Sequence, residues 1–374
     1  MTDETDHSRE SRAQDALPRD DTHPTASQQE PAEPRGHRAD DRAPEGPYPP
    51  TEEMLEEPVD PELQKEQVAR LRKAWETPRG WRYISAVNNT EVGVWYSLTT
   101  FAFMLMAGVM ALMIRTQLAV PENHLISSDR FNQLFTMHGS AMMFLFAVPM
   151  FEAISILILP GILGARDMPF PRLSAYGYWC FLIGGIFVIG SIFFDSAPNS
   201  GWFMYPPLAT KAEGIGSDIW LLGLSFIEVA SIAAAVELIV GALKCRPPGM
   251  RVNIMPLYAW YVMVVGGMIL FAFPPLIAGD FLFEMERSLD WPFFDPERGG
   301  DPMLWQHLFW IFGHPEVYII FLPSIAIAAM VVPTMARRPI VGYSWIVLSA
   351  VGTGFLSFGL WVHHMFTTGL PNLS

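Results

Sequence analysis

Apolar residues are distributed unevenly along this chain, and their pattern predicts its main elements. After Trp95, apolar stretches of the ~20 residues needed to cross a bilayer follow one another with short polar breaks. These stretches run over roughly 92–114, 133–159, 175–195, 218–242, 256–280, 304–333 and 341–362. A soluble helical core does not need so many continuous apolar runs. The pattern therefore predicts an all-α polytopic membrane region over residues 77–374, with seven transmembrane helices.

Residues 1–76 have the opposite composition, with Pro, Asp, Glu, Arg, Ser and Gln and almost no bulky apolar side chain. Such a segment cannot bury enough surface to offset the entropy of ordering, so we expect a disordered, solvated acidic tail. No short apolar segment with a small-residue cleavage site occurs near Met1, which argues against a removed secretory signal peptide. With Cys180 and Cys245 as the only cysteines, a disulfide framework and a thiolate-only metal site are excluded.

The loops between the predicted helices carry opposite charge on the two sides of the membrane, in a chain of formal net charge -14. Those after the second, fourth and sixth stretches hold, besides Asp167, the bases Arg166, Arg172, Lys244, Arg246, Arg251, Arg337 and Arg338. The other loops hold Glu122, Asp129, Glu213, Glu284, Glu286, Asp290, Asp295, Glu297 and Asp301 against Arg130, Lys211, Arg287 and Arg298. Because positive loops stay inside, the N-terminal tail is predicted to be cytoplasmic. The acidic outer face would also suit a basic partner.

Five histidines lie in or at the end of the apolar stretches, namely His138, His307, His314, His363 and His364. Ionisable groups at membrane depth normally line a cavity, pair or bind something, although any single one could be a packing residue. Three imidazoles without a thiolate or carboxylate suit copper or zinc with an open position, which predicts a metal site at His314, His363 and His364. Adjacent helical residues point about 100° apart, so His363 and His364 can share a metal only where the helix ends. Gly369 and Pro371 favour that end.

The stretch "GHPEVY" adds two more candidates beside the first of these metal ligands. His314 and Tyr318 are four residues apart and share a helix face, whereas Glu316 points to a different side. A tyrosine beside a metal-bound imidazole can supply a proton and an electron, and a buried glutamate suits proton transfer. The alternative is an interfacial tyrosine and a glutamate that only packs between helices.

His138 stands alone in "LFTMHGSAMMF", followed by Gly139, Ser140 and Ala141. A lone histidine on an apolar face is more often structural. The small residues after it, however, would leave space for something flat and large, for which haem is the natural candidate.

These residues resemble subunit I of the haem-copper respiratory oxidases, closest to the cytochrome c oxidase branch. The resemblance rests on "TMHGSAMMFLFAVP", "GARDMPFPRL", "GWFMYPPLA", "FFDPERGGDPMLWQHLFWIFGHPEVYIIFLP" and "GLWVHHMFTTG", which appear in family order from about residue 90 to the end. It implies that the region after the tail forms seven of the twelve transmembrane helices of that fold.

The resemblance also implies a role for each matching residue. His138 would be one axial ligand of the low-spin haem, and His314, His363 and His364 would bind copper. Tyr318 would be covalently tied to His314 as proton and electron donor. The internal proton donor would be Glu316, fed from Asp167 at the cytoplasmic mouth. A further group falls at family positions near the haems, namely Arg115, Trp202, Trp310 and Trp361.

The chain also departs from the family pattern. It ends at Ser374, after the seventh stretch, so we expect a truncated chain, or half of a split subunit, without the ligands of the high-spin haem. Leu173, Ser174 and Ala175 replace the usual asparagine pair, while Glu237 replaces an asparagine and Glu152 is added. Counting ~1.5 Å per residue places both glutamates between Asp167 and Glu316, which suggests protonatable relay sites. Glu228 is a weaker candidate, and packing glutamates bonded to their neighbours are the alternative.

The resemblance implies the catalytic subunit of a terminal oxidase in the inner (plasma) membrane. It would reduce O2 to water with electrons from cytochrome c and translocate protons, using a low-spin haem, a high-spin haem and copper. Expected partners are oxidase subunits II and III and membrane lipid, with no nucleic acid. The alternatives are a quinol-oxidising relative and a non-catalytic, truncated, copper-binding fragment. A nitric oxide reductase is disfavoured because the spacing of Glu316 and Tyr318 belongs to the oxygen-reducing pattern.

Overall fold

The computed structural model describes residues 60–74 and 76–371, and all regular secondary structure within these ranges is helical. Seven segments there are long and apolar enough to cross a membrane: Asn89–Gln117, Ser128–Leu163, Pro171–Phe194, Gly216–Lys244, Leu257–Leu289, Pro302–Ala336 and Tyr343–Met365. We call them the first to seventh spans. Each overlaps one predicted stretch, so the seven-helix membrane fold is confirmed.

The predicted disordered tail lies mostly outside the described residues, but the prediction is wrong for its final part. Pro61–Ala74 is an α-helix. Its sequence, PELQKEQVARLRKA, starts with a proline, which suits a first helical turn, and continues with good helix formers. Arg70 also pairs with Glu66 one turn earlier, at 2.6 Å. Local propensity therefore orders a segment that has no apolar core of its own.

Side-chain caps and breaks in regular helix set the limits of the spans. Asn88, Ser127 and Asp301 accept backbone N–H groups at the starts of the first, second and sixth spans. The second span is α-helical over Ser128–Ser140, π-helical over Ala141–Ala147 and α-helical again over Val148–Leu163. The third span joins the α-helix Pro171–Gly190 to the 3₁₀ turn Ser191–Phe194, and the seventh joins the α-helix Tyr343–Ser357 to the 3₁₀ turn Trp361–Met365. Short 3₁₀ segments outside the spans are Gly80–Ser85, Val252–Ile254 and Pro296–Arg298. The breaks in the second and seventh spans lie beside His138 and at the His363–His364 pair.

The fourth span lies at the centre of the bundle and packs against the second, third and fifth spans. The fifth span packs against the sixth and seventh, and the first against the second. The third and fourth spans pack tightly together at Gly184 and Gly223. There a Cβ atom on Gly184 would lie 2.5 Å from the Gly223 carbonyl oxygen. Small residues are what allow membrane helices to approach this closely.

We call the side reached by the ends of the first, third and fifth spans the acidic side, and the opposite one the basic side. Arg287, near the end of the fifth span, anchors a loop on the acidic side. Its guanidinium donates to both carboxylate oxygens of Asp218, at 2.5 and 2.9 Å. It also donates to the carbonyl oxygens of Ala209, Thr210, Ala212 and Gly214, all within 3.4 Å. One side chain thus fixes the loop that leads into the fourth span.

Replacing Arg287 with glutamine is expected to lower stability by about 2 kcal/mol, because the amide cannot replace this set of donors. The side chains of Arg287 and Asp218 are 10% and 31% exposed, so water can hydrate part of what is left unpaired. The measurement is the thermal unfolding midpoint of the purified protein in detergent. Arg298→Gln is the matched control, because its pair with Asp290 is 44% and 83% exposed. Such surface pairs contribute less than about 1 kcal/mol. Equal shifts for both variants would contradict the anchoring role.

Candidate metal centre and proton path

The three histidines predicted to bind a metal come together near the acidic side. His314 is buried on the sixth span, while His363 and His364 follow the helical part of the seventh span. One nitrogen atom from each ring lies within 4.8 Å of the others. His314 Nδ1 is 3.3 Å from His364 Nε2. The structure therefore brings together residues that are 50 positions apart in the chain.

The end of the seventh helix explains how two adjacent histidines reach one point. The α-helix stops at Ser357, and Trp361–Met365 forms a tighter 3₁₀ turn. The rings of His363 and His364 lie 4.1 Å apart between centroids, and the His363 ring is 4.4 Å from the His314 ring. The expectation that the helix ends at the histidine pair is confirmed.

The chemistry of this cluster fits a metal ion. Two imidazole nitrogens that face each other at 3.3 Å need a proton or a cation between them. His314 Nε2 is buried without a hydrogen-bond partner among the described residues. No carboxylate belongs to the group, and neutral imidazoles suit copper or zinc better than calcium or magnesium. The donor set is therefore suited to copper or zinc.

Aromatic side chains surround the histidine cluster and restrict its motion. The Trp310 ring stacks on the His364 ring at 4.0 Å, with an angle of 2° between the planes. Trp310 Nε1 donates to the Tyr205 hydroxyl at 2.5 Å. The Tyr318 ring lies edge-on to His314, with 5.0 Å between centroids. Tyr318 is thus in contact with the cluster, as the helical spacing predicts.

The surroundings of His138 fit an axial haem ligand. Its Nδ1 lies 2.9 Å from the carbonyl oxygen of Ala107 on the first span. Because a carbonyl only accepts, Nδ1 must carry the hydrogen, and the Nε2 lone pair is left for a metal. The bond to Ala107 sets the tautomer that haem ligation requires. The π-helical turns of Ala141–Ala147 begin three residues further on.

The space expected beside His138 is filled by protein at one position. A Cβ atom on Gly139 would lie 2.7 Å from Trp202 Cδ1, so the indole packs directly on the glycine. Ser140 accepts a hydrogen bond from Trp220 Nε1 at 2.8 Å. The expectation that Gly139 leaves room for a flat group is therefore wrong. The small size of Gly139 lets Trp202 pack here. The Trp202 ring also lies 5.9 Å from the Trp310 ring, measured between ring centroids.

Gly139→Ala is expected to displace Trp202 and to destabilise the protein by about 1–3 kcal/mol, the usual cost of overpacking. The same variant should lower haem content, because Trp202 joins the His138 region to Trp310. Thermal unfolding and the haem absorbance of the purified complex measure the two effects. Gly108→Ala on the first span is the matched control, because no atom lies within 4 Å of its added Cβ. Unchanged haem content in Gly139→Ala would contradict this role of Trp202.

Two other predicted haem neighbours and one further histidine lie in different surroundings. Arg115 is exposed in the last turn of the first span. Trp361 Nε1 donates to His307 Nδ1 at 3.1 Å, so His307 holds the turn that carries His363.

Tyr205 is an additional neighbour of the site, which the sequence pattern does not identify. Its contact with Trp310 joins segments 105 residues apart, and periodicity within one segment cannot detect such a contact.

On the basic side, Asp167 and Glu237 lie close together. Asp167 accepts hydrogen bonds from the N–H groups of Asn89 and Met168, at 3.0 and 2.7 Å. Its half-buried position raises the pKa of this carboxyl above the usual range. Glu237 is fully buried and accepts from the Phe170 N–H at 3.1 Å and from the Ser174 hydroxyl. The residue that replaces the family's asparagine thus bonds to the loop that carries Asp167.

Glu152 and Glu316 are also fully buried, and neither carboxyl makes a hydrogen bond of ordinary length with a described residue, although the Ser231 hydroxyl lies near Glu152. Glu152 lies on the second span and Glu316 on the sixth. The alternative to a relay function is a glutamate that hydrogen-bonds to its neighbours. Glu237 fits that description, whereas Glu152 and Glu316 do not. A buried acid without a partner normally remains protonated, which makes both groups able to give up a proton.

Comparison with known proteins agrees with this arrangement. Residues 91–374 match the family described as Cytochrome C and Quinol oxidase polypeptide I. The chain belongs to this family. It resembles Cytochrome c oxidase subunit 1 of Bacillus subtilis, with 43% identity over 290 residues, covering 78% of this chain and 47% of that protein. It is also 40% identical over 291 residues to the probable cytochrome c oxidase subunit 1-alpha of Streptomyces avermitilis, covering 77% of this chain and 50% of that protein.

A solved structure supports the same fold for this oxidase-family chain. That structure is described as a heme-copper terminal oxidase dimer. The superposed part covers 76% of this chain and 47% of the solved chain, with a TM-score of 0.61 and 20% sequence identity. The chain spans about half the length of the curated relatives it matches. The family implies haem and copper cofactors, and the chain is a multi-pass membrane protein with a histidine cluster suited to copper.

Proposed function

We propose that this chain forms the copper- and haem-binding half of the catalytic subunit of a terminal oxidase. The complete enzyme would reduce O2 to water with electrons from cytochrome c and translocate protons. The observation that carries this proposal is the convergence of His314, His363 and His364, with Tyr318 in edge contact. Copper held by these residues and haem on His138 would supply the one-electron and oxygen chemistry.

The protein's own residues would hold the site and deliver protons to it. Trp310 keeps the His364 ring in one plane by stacking, and Ala107 keeps His138 in one tautomer. The Tyr318 hydroxyl is the proposed donor of a proton and an electron, and the resemblance implies a covalent bond to His314. Glu316, whose carboxyl has no hydrogen-bond partner in the described part of the chain, is the proposed internal proton donor.

The proposed proton path starts on the basic side. Asp167 takes up a proton at the mouth, and Glu237 receives it beside the Phe170 and Ser174 donors. Glu152, at a similar depth, would take part in passing it to Glu316. By chain position, Glu152 and Glu237 lie about 36 and 32 Å from the acidic-side ends of their spans, against about 21 Å for Glu316. Both glutamates therefore lie on the basic side of Glu316, which supports a relay of carboxyls in place of asparagines and water.

We further propose that the basic side is cytoplasmic, because it carries the excess of arginine and lysine. The membrane would be the plasma membrane, with the N-terminus inside. The acidic side would face a basic electron donor, for which cytochrome c is the proposed candidate, and subunits II and III would complete the complex. Ligands for the high-spin haem and the second low-spin ligand would come from the part of the family's length that this chain does not match. Arg115, Trp202, Trp310 and Trp361 remain proposed neighbours of the haems.

The test is oxygen consumption by the complete complex containing this chain, with reduced cytochrome c and a quinol supplied separately. Rapid consumption with reduced cytochrome c and two haems plus copper per complex are expected. Consumption with quinol alone would assign the donor to the quinol-oxidising relatives. A complex that holds copper but no haem and consumes no oxygen would support a non-catalytic copper-binding fragment and overturn the proposal.

A further inference from the structure

Two acids that the proposed path does not use lie between the fourth and fifth spans. The side chains of Glu228 and Asp280 are 1% and 4% exposed. The two spans pack against each other, and the Asp280 carboxyl interacts electrostatically with Glu228. Counting ~1.5 Å per residue, Asp280 lies about 13 Å and Glu228 about 18 Å from the acidic-side ends of their helices. They form a pair of carboxyls at adjoining depths in the apolar interior.

Hydrogen bonds do not satisfy this pair. Oε1 of Glu228 and both carboxylate oxygens of Asp280 are buried without a partner among the described residues. The base on the acidic-side part of the fifth span is Arg287, which is already paired with Asp218. Neighbouring carboxylates without a base cannot both be ionised in an apolar interior. The pair therefore holds at least one proton.

A cavity connects Asp280 with the acidic side. Its volume is about 340 Å³, and its lining includes Asp280 together with Asp218, Ser225 and Glu284. By chain position Ser225 lies at the depth of Asp280, whereas Glu284 and Asp218 lie about 7 and 3 Å from the helix ends. Apolar side chains, namely Leu221, Leu222 and Phe281, form the rest of the lining. A water molecule occupies about 30 Å³ of liquid, so the cavity has room for water beside its polar groups. Asp280 thus borders this cavity, which reaches Asp218 and Glu284 near the helix ends, while Glu228 lies outside the lining.

The neighbouring spans offer few other groups that could titrate in place of the pair. The third span has no charged residue after Arg172 at its basic end. The sixth span contributes His307, which is bonded to Trp361, and Glu316. The second span contributes Glu152 and His138, together with the exposed Asp129 and Arg130 at its acidic-side end. Glu152 and Glu316 are both deeper than Asp280, so the pair lies on the acidic side of the proposed path.

We propose that Glu228 and Asp280 form a proton-holding pair that exchanges protons with water on the acidic side through this cavity. In the release step, one O–H bond breaks at Asp280 and one forms on a cavity water. The carboxylate is left at Asp280, while Glu228 keeps its own proton. Uptake reverses the step. This exchange does not depend on oxygen reduction by the complex.

Infrared spectroscopy of the complete complex, inserted into vesicles in one orientation, tests the pair. A carboxylic-acid C=O band that changes with the pH of the acidic-side medium is expected. Glu228→Gln and Asp280→Asn should each cause loss of this titrating band. Glu213→Gln, an exposed acid in an acidic-side loop, is the matched control and should retain it. Ser225→Leu, which fills the cavity, should keep the band but slow its exchange in heavy water.

Three results would overturn the inference. A band that is unchanged across pH would mean a permanently protonated structural pair, and one that responds only to the basic-side medium would place its access elsewhere. The loss of the band on adding sodium ions would mean a cation site. If Glu228→Gln does not assemble, Asp280→Asn and Ser225→Leu still test the inference, through loss of the band and through slower exchange. Oxygen consumption is measured separately, so failure of the pair and failure of the proposed oxidase function are distinguishable.

Discussion

Replacing His314 with alanine should remove copper from the assembled complex and abolish oxygen reduction. His314 is the buried member of the cluster, and it is held on the continuous sixth span. Without it, two adjacent imidazoles on a short 3₁₀ turn remain as donors. Changes to residues that only support metal ligands already weaken binding about 10–100-fold, so losing one of three ligands should weaken it by at least about 100-fold.

Copper content per complex, measured by mass spectrometry of the metal, gives a readout that is independent of activity. His363→Ala tests the same site from the seventh span and should behave like His314→Ala. His124→Ala is the matched control, because this histidine is exposed in an acidic-side loop. Haem absorbance confirms that the variants assemble. Full copper occupancy in both His314→Ala and His363→Ala would refute the proposed metal centre.

Replacing Glu237 with glutamine should slow proton uptake from the basic side by about 100-fold, the lower end of what a positioned proton-transfer group contributes. The fold should be preserved. The two donors bond to different oxygens of Glu237, the Phe170 N–H to Oε1 and the Ser174 hydroxyl to Oε2. In glutamine the amide oxygen can still accept from the Phe170 N–H, and the amide NH2 can donate to the Ser174 hydroxyl oxygen instead. What glutamine loses is the exchangeable proton of the carboxyl. A purely structural glutamate would therefore tolerate this change.

Two further variants separate the proton relay from packing at this position. Ser174→Ala removes a donor but leaves the carboxyl, so it should slow uptake less than Glu237→Gln. Glu122→Gln changes an exposed glutamate on the acidic side and should have no effect. Time-resolved proton uptake and the number of protons translocated per electron are the measurements. Unchanged values in Glu237→Gln would show that Glu237 only packs between helices.

The seven spans follow from the sequence because the length and apolarity of a segment decide whether it crosses a bilayer. The contact between His314 and Tyr318 is likewise local, since a spacing of four residues fixes their common helix face. The helix end at His363 and His364 could also be predicted, because one helix face cannot carry adjacent metal ligands. The helix Pro61–Ala74 was not predicted, since composition averages over the tail hid a run of good helix formers.

The sequence by itself determined the membrane helices, the residue types of the metal centre and the carboxyls at membrane depth. Only the tertiary structure decided which of those groups have partners. Glu237 bonds to Ser174, whereas Glu316 has no hydrogen-bond partner among the described residues. Trp202 packs against Gly139, and Glu228 lies near enough to Asp280 for their charges to interact. The physical reason is that helix periodicity fixes the direction of each side chain on its own helix. The neighbour it meets depends on how different helices pack, which no single segment encodes.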